Sequence, residues 1–174
     1  MVGAATLTYE NFLEQRTLQI RLMHVMLLFL HSLCFNRWNY LHHRLELTIG
    51  SMGGKRLLKE ISIRILQSFD PRVSSFSSEF IDIACEESIA QMLDEELVQE
   101  HTVDLNGVHY RRSYHITGSG VEFFEKQIRP ILPRDLVALG ERIRSKKEIF
   151  LNASRNSVLT HLAELLASRG VEVV

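Results

Sequence analysis

The chain has 174 residues, 45% of them hydrophobic, with 20 basic residues set against 21 acidic ones. That apolar content excludes wholesale disorder, and the length suits one packed domain with appendages but no second large domain. A near-zero net charge gives no overall pull toward a polyanion, so any charged partner has to be read from local distribution.

The first apolar stretch, Leu18 to Phe35, is interrupted by Arg21, His24 and His31. Its apolar runs fall short of the roughly 20 residues a membrane span needs, so a buried or dimer-forming helix is expected, with no membrane contact. Glu10 and Glu14 precede it and no cleavage pattern follows, which disfavours a signal peptide. A second helix is expected from about Trp38 to Leu47, and Ile49-Gly-Ser-Met-Gly-Gly54 reads as a break. Met52 within that break looks like a natural chain start. Residues 1–51 therefore read in two ways, as a helical arm or as a mis-assigned start.

From Lys55 to Phe69, Leu57, Leu58, Ile61, Ile65 and Leu66 give a helical stripe that Asp70-Pro71 ends. Ser74 to Ser78 is a capping segment, and a short helix over Phe80, Ile81 and Ala84 would turn at Cys85-Glu86-Glu87 into a further helix over Ser88 to Val98. No glycine or asparagine marks that turn, so one continuous helix over 79–98 is the alternative.

At Val98 the apolar period changes to two. Val103 and Leu105 alternate with Thr102 and Asp104, Asn106-Gly107 suits a two-residue hairpin turn, and Val108, Tyr110, Tyr114 and Ile116 continue the apolar face. Such a turn would pair Leu105 with Val108, Val103 with Tyr110, Asp104 with His109 and Thr102 with Arg111. Thr117 is a natural N-cap for a helix carrying Val121, Phe124 and Ile128, ended by Pro130.

The pattern Leu-Val, turn, Arg-Arg-x-Tyr-x-Ile-Thr-x-x-Gly-x-x-Phe-Phe resembles the recognition helix, wing and following helix of winged helix-turn-helix proteins. Through Arg111, Arg112, Tyr114, Thr117, Gly120 and Phe123-Phe124 it is most similar to PadR-like and MarR-like transcriptional regulators, over about residues 55–128. The resemblance implies a mainly α fold with a small β-hairpin, a winged helix-turn-helix flanked by N- and C-terminal helices. The domains would be 1–51, 52–130 and 131–174, the last for dimerisation.

The same resemblance implies double-stranded DNA as partner, but the residues of the would-be recognition helix disagree. Between Glu86 and Glu100 stand six carboxylates and no Lys or Arg, a poor surface for phosphates; only Ser88 and Gln91 are base-reading types. On the wing, His109, Arg111, Ser113 and His115 share one parity and are expected outward, where an arginine can meet a DNA backbone or minor groove. The bland reading of that strand is a charged edge that blocks sheet aggregation. Arg112 has the apolar parity and is expected to snorkel or to pair with an acid such as Glu100.

Beyond Pro133, Leu136, Leu139 and Ile143 share a helical face, and Arg142, Arg144, Lys146 and Lys147 form the densest basic cluster, read as a solubilising surface in preference to a phosphate site. Asn156 or Ser157 can cap a last helix bearing Val158, Leu159, Leu162, Leu165 and Leu166, whose broad stripe points to a homodimer.

No catalytic motif stands out, and a non-enzyme without cofactor is expected. His24, His31 and Cys34 invite a metal reading, yet they are spread too far along one helix for a tetrahedral ion. Gly118-Ser-Gly120 lacks the remainder of a phosphate loop. Cys34 and Cys85 form no CxxC pair, which places the chain in the cytoplasm. Two functions follow: a dimeric DNA-binding regulator, or a winged-helix module whose acidic helix 86–100 captures a basic protein.

Overall fold

Along the first helix, α1 (Tyr9–Ser32), Leu22, Met23 and every residue from Val25 to Leu30 are buried, so apolar side chains leave the helix in all directions. A helix apolar all round must be covered all round. In the computed structural model, which describes residues 9–33, 45–46, 53–104, 110–152 and 155–168, α1 runs through the middle of the molecule. It packs on α2 (Gly53–Phe69), α3 (Ser78–Asp94) and α5 (Arg134–Ser145), and so shares one core with them. No described helix is long and apolar enough to cross a membrane.

Between α1 and α2, Leu45–Glu46 forms a short strand, β1, where the sequence suggested helix to Leu47; the rest of that expected helix lies outside the described residues. The physical reason is a partner: Leu45 pairs with Tyr114 and Glu46 with Ser113, and strand pairing supplies the backbone bonds that a short helix would otherwise make internally.

The stripe Leu57, Leu58, Ile61, Ile65 and Leu66 is buried along α2. Asp70 then caps a 3-10 turn, Pro71–Ser75, accepting from the Arg72 backbone N–H at 3.2 Å. Ser77 caps α3 by accepting from the Phe80 N–H at 3.1 Å. The turn expected at Cys85–Glu87 is absent and α3 is continuous. Ala84, Cys85 and Ser88 are all buried, and these small side chains allow an unbroken helix to lie against its neighbours where a turn would have exposed backbone.

Glu96 ends α3 with φ 57°, a left-handed residue flanked by bonds from the Leu97 N–H to the Met92 carbonyl at 2.9 Å and from the Glu96 N–H to the Leu93 carbonyl at 3.1 Å. This is a Schellman ending, with Leu97 and Met92 both buried as its apolar pair.

Next, β2 (Val98–Asp104) and β3 (Tyr110–Ile116) form an antiparallel ribbon, and the sheet order is β1-β3-β2. Its register differs by one residue from the sequence expectation: Val103 faces Arg111, Thr102 faces Arg112 and Asp104 faces Tyr110. The connection, residues 105–109, lies outside the described residues. Pairing is fixed instead at the ribbon base, where buried Val98 lies opposite buried Ile116. Glu100, opposite Tyr114 on the exposed part of β2, accepts from the buried Tyr114 hydroxyl.

Thr117 caps α4 (Gly118–Phe123) as expected, its Oγ accepting from the Gly120 N–H at 3.0 Å. One wider π turn, Phe124–Ile128, follows, and a 3-10 turn, Arg129–Ile131, leads to α5. Two further helices, α6 (Lys147–Asn152) and α7 (Arg155–Ser168), complete the described chain. Phe150 meets Phe29 of α1 edge-on at 5.9 Å, and α7 lays Val158 and Leu162 into the core against α2 and α5.

Candidate interaction surface

Buried Ile81, Ala84, Cys85, Ser88, Ile89 and Met92 recur at helical spacing and turn one face of α3 inward. Ser88 sits in the middle of that stripe. Its hydroxyl is shared between the Gln19 carbonyl of α1 at 2.6 Å and the Ala84 carbonyl at 2.8 Å. Gln91 is also turned toward α1: its Oε1 accepts from Gln19 Nε2 at 3.0 Å and its Nε2 donates to Glu95 Oε2 at 2.9 Å. Both residues expected to read bases are thus engaged by the protein itself. The signal for Ser88 is present in the sequence as its spacing from Ile81, Ala84 and Met92, and it emerges only in the alternative of one continuous helix over 79–98.

What α3 presents outward is acidic with an apolar centre. Glu79, Asp82, Glu87, Ala90 and Asp94 are exposed, and Ile83 among them keeps 48% of its surface in solvent. Along the edge nearest α2, Lys59 Nζ lies 2.7 Å from Asp82 and also pairs with Glu86, while Lys55 Nζ lies 3.1 Å from Glu86. The Lys59 bond, reinforced by Lys55, holds the Glu86 carboxyl below the usual range against a smaller opposing effect of burial. Two lysines of α2 are therefore committed to α3 carboxylates and add little positive potential of their own. Glu95 and Glu96 extend the acidic surface past the helix end.

On the ribbon, Arg111 lies opposite Val103, and Ser113 occupies the central strand between His101 of β2 and Glu46 of β1. His109 lies outside the described residues. His115, expected outward with them, is buried instead. Tyr114, His115 and Ile116 are consecutive and all buried, so packing covers both faces of the sheet at the ribbon base and parity no longer separates inside from outside.

The histidines that invited a metal reading have other surroundings. His31 Nε2 lies 3.1 Å from Glu125 Oε2 and Nδ1 lies 3.0 Å from Arg144 Nη2, with the ring 4.6 Å from that of Phe124. Burial, only partly offset by Glu125, lowers the His31 pKa to about 4. Arg144 also donates to the His31 carbonyl at 2.7 Å, and Arg142 donates to the Leu165 carbonyl and Ser168 Oγ at the end of α7. Arg142 and Arg144 of the basic cluster thus tie α5 to α7 and α1. Burial pushes the Cys85 thiol up to about 12, which disfavours the nucleophilic thiolate in the folded chain.

No protein-family model, curated protein or solved structure matches the chain.

Proposed function

We propose that the chain is a cytoplasmic winged-helix module that docks a basic protein segment through the outer face of α3. The order helix, strand, helix, helix, strand, strand, with β3 central in the sheet, supports the winged-helix reading. One observation carries the choice of partner: Ser88 and Gln91 are bonded on the α1 side, leaving exposed carboxylates around Ile83. An acidic rim around an apolar centre suits a partner helix with Leu or Met flanked by Lys and Arg, whereas the same carboxylates oppose phosphates.

The second reading is a DNA-binding regulator, and the specific observation in its favour is the placement of Arg111 in β3 next to the ribbon tip. The dimer expectation loses its main motive, because the apolar stripe of α7 is used against α2 and α5 of the same chain.

Fluorescence anisotropy with a labelled Lys- and Leu-rich amphipathic peptide and with labelled random duplex DNA, each at low and moderate salt, separates the readings. Salt-sensitive peptide binding abolished by the Glu87→Lys, Asp94→Lys double variant, with no duplex binding, is the expected result. Duplex binding at low salt that Arg111→Ala removes would replace it with the regulator reading.

A further inference from the structure

We infer that the cleft between α1, the end of α2 and the start of α5 binds a small amphipathic monoanion, a carboxylate with an apolar tail, held by Arg21 and Arg72. This inference stands independently of the proposed function.

The cleft has a volume of about 420 Å³, within the range of roughly 300–1,000 Å³ typical of small-molecule sites. Its apolar wall is built by Val25 of α1, Leu66 and Phe69 at the end of α2, and Leu132 and Leu136 at the start of α5. Ile131 stands at the rim with 67% of its surface exposed.

The polar wall has one carboxylate and two guanidiniums. Asp70 accepts from the Arg72 backbone N–H and from Arg72 Nε, both at 3.2 Å, from Arg72 Nη2 at 3.3 Å, and from Arg21 Nη1. The Arg72 side-chain bonds hold the Asp70 carboxyl below its usual range, with Arg21 adding to the effect, so it carries one negative charge at neutral pH. His24 also lines the cleft, and burial lowers its pKa, which keeps it neutral there. Among the groups that line this cleft, two guanidiniums stand against the one carboxylate of Asp70, while Glu14, on the far side of Arg72, also acts on that guanidinium.

A planar guanidinium has five N–H donors, and Asp70 takes Nη1 of Arg21 and Nε and Nη2 of Arg72; donors remain on both forks for a second carboxylate. A neighbouring cleft of about 370 Å³ shares Arg21, Asp70 and Arg72 but adds Glu14, which balances the charge. An anion is therefore better placed on the α5 side, where the guanidinium donors face apolar side chains and Glu14 does not line the wall. A single charge beside five apolar side chains selects a molecule with one ionic head and a short hydrocarbon body.

Isothermal titration of the full chain with octanoate, octylamine and acetate tests this. The expected result is octanoate binding that is at least about tenfold tighter than either control, because only octanoate satisfies both walls. Arg72→Gln, at a side chain 75% exposed and so replaceable without loss of fold, should weaken octanoate about fivefold or more, and Arg21→Gln likewise. Circular dichroism of the variants checks folding. Octylamine binding as tightly as octanoate would reduce the cleft to an apolar patch, and acetate binding as tightly would reduce it to surface charge. No octanoate binding, or octanoate binding indifferent to both arginine changes, overturns the inference.

Discussion

The ribbon base and the α1–α3 seam both bury polar groups, but the base brings backbone directly against backbone, whereas every bond across the seam uses at least one side chain. At the base, the Thr117 N–H donates to the Leu97 carbonyl at 2.9 Å and Thr117 Oγ donates to the Glu96 carbonyl at 2.6 Å. Gly120 comes so close that an added Cβ would lie 2.1 Å from the Leu97 carbonyl oxygen and 2.7 Å from Ile116 Cγ1. At the seam, the Gln19 and Gln91 side chains bond each other and the Ser88 hydroxyl donates to the Gln19 main-chain carbonyl, all over a long sequence separation. Backbone contacts have no rotamers with which to yield. Side-chain contacts do, so the seam should tolerate change that the base does not.

Gly120→Ala is the strongest way to break that contrast. Since the nearest atom is a backbone oxygen, the ribbon base must shift, and a loss of about 3 kcal/mol or more is expected in urea unfolding. A loss under about 1 kcal/mol would show that the base is soft after all.

The second test concerns the far end of α1. The unfolded chain protonates residue 31 near its ordinary value of 6.5, whereas the folded chain resists until about 4. Because the unfolded state binds more protons in that window, stability is present above pH 6.5 and falls progressively as pH drops toward 4. The loss should be on the order of 2–3 kcal/mol, and His31→Gln should remove this part of the acid dependence in unfolding curves recorded across the window.

Thr117→Ala removes a helix cap together with the bond to the Glu96 carbonyl, for an expected cost of about 1–2 kcal/mol. Ser88→Ala at the seam should cost about 1 kcal/mol or less, because its acceptors are helix carbonyls that keep their backbone bonds. Equal losses for the two by thermal melting would erase the distinction between base and seam. The smallest effect has the opposite sign: Glu96→Gly relieves a left-handed residue at the Schellman position and should stabilise by about 0.5–1 kcal/mol, seen as a higher melting temperature.

The base was legible in the sequence and the seam was not, for the same reason. Thr117 as cap, Gly120 after it and the change of period at Val98 are signals carried within a few residues of where they act. Ser88 and Gln91 look like base-reading groups only while their partner is unknown; Gln19 is far away in sequence, and no local pattern announces it. The register slip has a related cause. Asn106-Gly107 is a strong turn signal, but burial of Val98 opposite Ile116 and of Tyr114 acts on the whole strand and prevails over turn preference. His115 was misplaced because alternation holds only where one sheet face meets water.

The Cys85 thiol sits at the centre of the α3 inner face with 0% exposure. A thiol that is both covered and protonated reacts with an alkylating reagent only during the intervals when its surroundings part. In a Cys34→Ser background the labelling half-life would therefore act as a clock for transient opening of α3. Its reading at rising denaturant would separate local fraying of the helix from excursions that dissolve the whole core.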